Sequence, residues 1–233
     1  MIAALVLATS LAAAPAPSGE EPRVHAGGHD ATIHHSFEDA EHWARVFDDP
    51  ARDAWQKPDA VFDALGVKTG AWVADLGSAT GYFAVRLARR VGPAGKVYGV
   101  DVEPSLAAYL RDRAAREGLA NVEAVLAAPD DPRLPDRSVD FVLVVDTWHH
   151  IDARLAYLDR LRRTLRPGGR VAIVDFKKGD IPVGPPPEHR LPREAVVEEF
   201  AKGGWGLVAE SDILPYQFIL VFAPEPATAN PKP

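Results

Sequence analysis

Short apolar runs rich in β-branched residues recur from about position 70 onward, at Trp72–Leu76, Lys96–Val100, Val122–Leu126, Phe141–Val145 and Arg170–Val174. Most are continuous rather than alternating, the pattern of strands buried on both faces of a parallel sheet. Between them apolar residues return at helical spacing: Phe83, Leu87 and Val91, then Leu106 and Leu110, then Leu155, Leu158, Leu161 and Leu165. Strand and helix alternate, which predicts a doubly wound α/β sheet with helices on both faces. The third helix runs into Arg166-Pro167-Gly168-Gly169, where proline stops the helix and the glycines allow the turn back into a strand. After the fifth strand, Gly179–Pro192 carries Pro182, Pro185, Pro186 and Pro187 and reads as an irregular loop at the strand ends, a candidate lid. A helix over about 192–202 then leads to two last strands, 207–214 and 217–222, separated only by Pro215 and Tyr216 and so expected to run antiparallel. Seven strands are expected in all.

Upstream, 37–65 is acidic and helical in bias, with Trp43, Phe47, Trp55 and Phe62, and is expected to cap the sheet and close over a site. Met1–Ala14 is apolar and ends in small residues, the pattern of a secretory leader, although no Lys or Arg precedes it. The expected organisation is a leader over 1–18, a helical cap over 19–60, the sheet domain over 61–223 and a proline-rich tail over 224–233. A functional leader would place the protein in the periplasm or outside the cell, and a retained one in the cytoplasm. No other segment approaches the roughly 18 apolar residues of a membrane span.

At 233 residues with 47% hydrophobic and 25% charged, the chain suits one globular domain with short appendages. Its 26 basic and 33 acidic residues leave a net charge of -7, which makes nucleic acid a poor partner. The absence of cysteine excludes disulfides, thiolate metal sites and cysteine nucleophiles. His25, His29, His34, His35 and His42 cluster near the N-terminus without metal-ligand spacing, so no metal site is expected there.

The strongest local signal is Asp75-Leu76-Gly77-Ser78-Ala79-Thr80-Gly81, a strand entering a helix through a glycine turn. In a dinucleotide fingerprint the position of Ala79 is a glycine that lets backbone approach a pyrophosphate, so phosphate is disfavoured, as is a nicotinamide dehydrogenase. No Gly-Lys-Ser/Thr follows, which removes a nucleotide-triphosphate loop. An amino-acid headgroup fits better: Asp75 for its amino group, helix-start amides for its carboxylate. Asp101, at the end of the second strand and followed by Val102, stands where an acidic residue can accept two ribose hydroxyls.

With Leu134-Pro135-Asp136-Arg137-Ser138-Val139-Asp140-Phe141-Val142 and Leu165-Arg166-Pro167-Gly168-Gly169-Arg170-Val171 following in order, the chain resembles the class I S-adenosylmethionine-dependent methyltransferases related to the ubiquinone/menaquinone enzymes, over about Val61–Phe222. The resemblance implies a Rossmann-like seven-stranded sheet whose last strand inserts antiparallel beside the fifth. It implies S-adenosylmethionine as cofactor, held by Asp75, Gly77, Ser78, Ala79, Gly81, Asp101 and Val102. The acidic residue usual near the adenine falls on Ala128, which leaves that role to Asp130 or Asp131.

Methyl transfer from a sulfonium is an in-line displacement, so the protein positions the reactants and supplies a base where a proton must leave. Asp146-Thr147-Trp148-His149-His150 follows the fourth strand, and Asp146, His149 and His150 are the candidate catalytic residues. Asp175, Lys177, Lys178, His189 and Arg190 also belong to the strand ends. A small-molecule methyl acceptor is the expected partner. The alternatives are a non-catalytic binder of the same cofactor and an O-methyltransferase in which Asp146 and Asp175 hold Mg²⁺.

Overall fold

In a computed structural model of the chain, residues 39–226 are described. The expected leader, His25, His29, His34 and His35, and the end of the tail lie outside them. Seven strands, β1 (Trp72–Leu76), β2 (Lys96–Asp101), β3 (Val122–Leu126), β4 (Val139–Val145), β5 (Leu165–Phe176), β6 (Trp205–Ser211) and β7 (Gln217–Pro224), form one sheet in the order β3-β2-β1-β4-β5-β7-β6. Strands β1 to β5 pair parallel, and β7 pairs antiparallel with both β5 and β6. The expected insertion of the last strand beside the fifth is what the sheet has.

Along β4 the side chains alternate between two cores: Val142 and Val144 pack on one face, Phe141, Leu143 and Val145 on the other. Four further helices cover these faces, named in chain order after the three that precede β1: α4 (Ala84–Val91), α5 (Pro104–Arg116), α6 (Arg154–Thr164) and α7 (Arg193–Lys202). Leu87 and Val91 of α4 enter one core; Leu158 and Leu161 of α6 and Phe200 of α7 enter the other. Strand β5 starts earlier than expected, because Arg166-Pro167-Gly168-Gly169 is extended and Leu165 already pairs with Val139 before a register irregularity.

The cap comprises α1 (Ala40–Phe47), a 3-10 turn at Pro50–Arg52, α2 (Asp53–Gln56) and α3 (Pro58–Leu65). Helix α1 buries no residue, whereas α3 buries Val61, Phe62 and Leu65 in the core shared with α4. The expected boundary at 60/61 therefore falls inside α3, which packs as part of the sheet domain. The proline-rich loop is tied to itself: Arg190, 4% exposed, donates to the carbonyls of Pro185 (2.7 Å) and Gly179 (2.8 Å). Among the described residues no helix is long and apolar enough to cross a membrane.

Candidate active site

The strand order reverses between β1 and β4, each of which pairs with the other, and the carboxyl ends there leave a crevice suited to ligands. A cavity of about 500 Å³ lies at that point. From β1 and the turn after it come Asp75, Gly77, Ser78 and Ala79; from β2 and its end, Asp101, Val102 and Glu103; from β4 and its end, Asp146, Thr147 and His150; from the cap, Phe47 and Arg52.

The turn is built on the neighbouring strand. Gly77 and Ser78 both donate their N–H to the Val100 carbonyl (2.8 and 3.0 Å), and Ala79 donates to Asp101 Oδ2 (2.8 Å). Gly77 has φ +75, and a Cβ there would run into the Thr147 side chain, so glycine is required by the close approach of the loop after β4. Ala79 itself is left-handed, at φ +47. Asp101 Oδ1 accepts from the Glu103 N–H (3.0 Å), and burial is the main cause raising its pKa. Both oxygens of Asp101 thus hold backbone, and each keeps lone-pair capacity for a hydroxyl.

Asp75 is buried, receives the Ala84 N–H at the start of α4, and leaves Oδ2 without a hydrogen-bond partner among the described residues. Burial first, then the nearby Asp101, pushes its pKa up to about 7. An uncompensated buried carboxylate of this kind fits a cationic amino group.

At the end of β4, Asp146 has φ +52 and accepts from Gln56 Nε2 (2.9 Å, Oδ2) and Gln217 Nε2 (2.5 Å, Oδ1). Burial, then Asp175, raises its pKa to about 7, opposed by Arg52 and His149. His149 Nδ1 lies 3.1 Å from Asp175 Oδ2, with both side chains buried. Burial works to lower the His149 pKa, but Asp175 and Asp146 raise it overall. The His150 ring sits 4.2 Å from that of His149.

Several expected site residues fall elsewhere. His149 is buried but does not line the cavity, and only His150 of the pair does. Gly81 is not in the wall: a Cβ there would meet Leu110 of α5, so its absence serves helix packing. Asp130 and Asp131 do not line the cavity either. Ala128 and Asp131 form a bridge, Asp130 is exposed, and Asp131 binds the Arg133 N–H (2.8 Å) and Arg160 (3.4 Å); Ala127 and Pro129 reach the cavity instead. The turn amides of Gly77, Ser78 and Ala79, which precede α4, are spent on Val100 and Asp101 rather than open to a carboxylate, and Asp175, Lys177, Lys178, His189 and Arg190 are not lining residues.

Sequence reasoning missed Arg52, Gln56 and Gln217. Arg52 is the one Lys or Arg among the lining residues; its guanidinium lies 4.2 Å from the Tyr82 ring centroid and donates to the Phe47 carbonyl and to Gln56 Oε1. The available signal for Arg52 and Gln56 was their i, i+4 spacing, which brings them to each other but says nothing of Asp146; Gln217 had none.

Residues 73–169 match the protein family described as "Methyltransferase domain". A SAM-dependent methyltransferase from Aquifex aeolicus, of known crystal structure, is 30% identical, with a TM-score of 0.75, over 79% of this chain and 97% of that one. A putative type 11 methyltransferase from Sulfolobus solfataricus is 25% identical at a TM-score of 0.55, over 68% of this chain and 86% of that one. The ubiquinone/menaquinone biosynthesis C-methyltransferase UbiE of Hahella chejuensis is 33% identical over 122 residues, 52% of this chain and 49% of that protein. The chain thus spans about half the length of the curated relatives it matches. With the sheet order, the glycine turn and an acidic strand end meeting in one cavity, the chain belongs to the class I S-adenosylmethionine-dependent methyltransferases.

Proposed function

We propose that the protein transfers the methyl group of S-adenosylmethionine to a small molecule held in the same cavity. Asp75 carries the reading: a buried carboxylate with an unpartnered oxygen at the cavity is matched by the cofactor's amino group. Asp101 and Glu103 hold the ribose hydroxyls, with Val102 beside them, and Ser78 and Ala79 line the bend. Arg52 supplies the counter-charge for the cofactor's carboxylate. Ala127, Pro129 and Ile151 form the apolar wall for the base. When bound, S-adenosylmethionine supplies an electrophilic methyl group on a positively charged sulfur. The chain's own contribution is to orient the acceptor against it and to take up a proton, for which Asp146 and His150 stand at the end of β4.

A small acceptor is favoured by the cavity's size, which is in the range of small-ligand sites. It is favoured also by charge: the lining holds Asp75, Asp101, Glu103, Asp146 and Asp152 against the single cationic Arg52, and a chain of net charge -7 repels polyanions.

Calorimetry with S-adenosylmethionine tests the cofactor assignment. Asp101→Ala and Glu103→Ala are each read against the parent chain, and Asp101→Ala weakens binding at least about tenfold, the effect of a lost hydrogen bond to a charged group. Unchanged affinity in both variants would remove the ribose assignment. Methyl release from labelled cofactor across phenols, quinols, amines and thiols then identifies the acceptor.

A further inference from the structure

The two amide donors on Asp146 are not equivalent. Gln56 Oε1 already accepts Arg52 Nε (2.8 Å) and Nη2 (2.5 Å), and a guanidinium has only donors to offer. Gln56 can therefore present nothing but its N–H to Asp146 Oδ2. Gln217, at the start of β7, is fully buried, and its Oε1 has no hydrogen-bond partner among the described residues. Turning that amide over breaks no hydrogen bond except the one to Asp146 Oδ1. A proton on Oδ2 would oppose one donor to another; a proton on Oδ1 would find the carbonyl of a turned Gln217.

We propose that Asp146 takes up on Oδ1 the proton released by the methyl acceptor, and that Gln217 is the positioning residue that accepts this proton's hydrogen bond by turning its amide over. The inference rests on the methyl-transfer reading and deepens it: the acceptor is one whose attacking atom bears a proton, such as a hydroxyl, amine or thiol. The electron pair left on that atom forms the bond to the methyl carbon, the pair of the broken carbon–sulfur bond stays on sulfur, and the proton rests on Asp146 until solvent removes it. Arg52 from the turn before α2 and His149 from the turn after β4 favour the carboxylate, while burial and Asp175 from β5 oppose it. That balance leaves Asp146 able to change protonation near neutrality, as a proton acceptor must.

The test needs neither cofactor nor acceptor. In ¹⁵N-labelled full-length protein the side-chain amide signals of Gln217 and Gln56, assigned by their loss in Gln217→Leu and Gln56→Leu, are followed from pH 5 to 9. The Gln217 pair moves with a single midpoint that vanishes in Asp146→Asn, a change the left-handed backbone tolerates; the Gln56 pair moves less. Gln56→Leu raises that midpoint by about one pH unit, since only the carboxylate loses a partner, and Gln217→Leu shifts it less, since both protonation states do. Titration reported by Gln56 but not Gln217, no titration at all, or an equal rise in both leucine variants would overturn the proposal. Calorimetry with S-adenosylmethionine on the same sample reads the cofactor site separately, so a failure there is distinguishable from a failure here.

Discussion

Gly77 is fixed by two independent demands, a positive φ and the Thr147 side chain lying where a Cβ would go. Gly77→Ala is expected to destabilise the fold by about 1–3 kcal/mol, measured by urea unfolding, because backbone strain and side-chain displacement add. Asp75 and Asp146 make a second expectation. Their folded pKa values, about 7, lie above the unfolded value of about 3.9, so the folded state holds extra protons between those limits. Their contribution to stability is complete below pH 4 and is lost as pH rises through 7. The urea midpoint therefore falls between pH 5.5 and pH 8, and Asp146→Asn makes that fall shallower. Cofactor binding at pH 7 releases a proton from Asp75, seen as a dependence of the calorimetric enthalpy on the buffer's own ionisation enthalpy; equal enthalpies in phosphate and Tris would contradict it. Asp75, Ser78, Ala79 and Asp101 were legible as cavity residues because strand, turn and acid are local in sequence. Gln56 and Gln217 were not: they meet only across Asp146, 90 and 71 positions away, and such a meeting leaves no trace in spacing.

The strands of the sheet were legible because burial on both faces leaves a continuous apolar run, and Val139–Val145 shows it. The cap was legible only in outline. Its aromatic residues announced packing, but α1 buries none of its residues: Trp43 stacks on Phe47 within the helix, and the Asp48–Arg113 ion pair (2.8 Å) ties its C-terminal end to α5, while α3 is core. Hydrogen exchange should separate them: amides of α1 exchange fast, and those of Val61 and Val67, bonded to Lys57 and Phe62, exchange slowly. Bound S-adenosylmethionine slows exchange over 47–56, since Phe47 and Arg52 line its cavity. Phe62→Ala, removing a fully buried ring, costs about 3–5 kcal/mol, whereas Val46→Ala, on the exposed face of α1, stays within about 0.5 kcal/mol.

For the whole molecule, the topology decides where chemistry can occur. Reversal of strand order between β1 and β4 opens one crevice, and the antiparallel β7 brings Gln217 to the same end of the sheet as Asp146. The turn after β1 carries a selectivity of its own. Gly77, Ser78, Ala79 and Gly81 have all committed their N–H groups to acceptors within the protein, at Val100, Asp101 and Ser78. A pyrophosphate arriving there would find these four donors already taken. Placing glycine at position 79 would consequently free none of them: the barrier at this bend is an account of hydrogen-bond donors, and a methyl group more or less leaves that account unchanged.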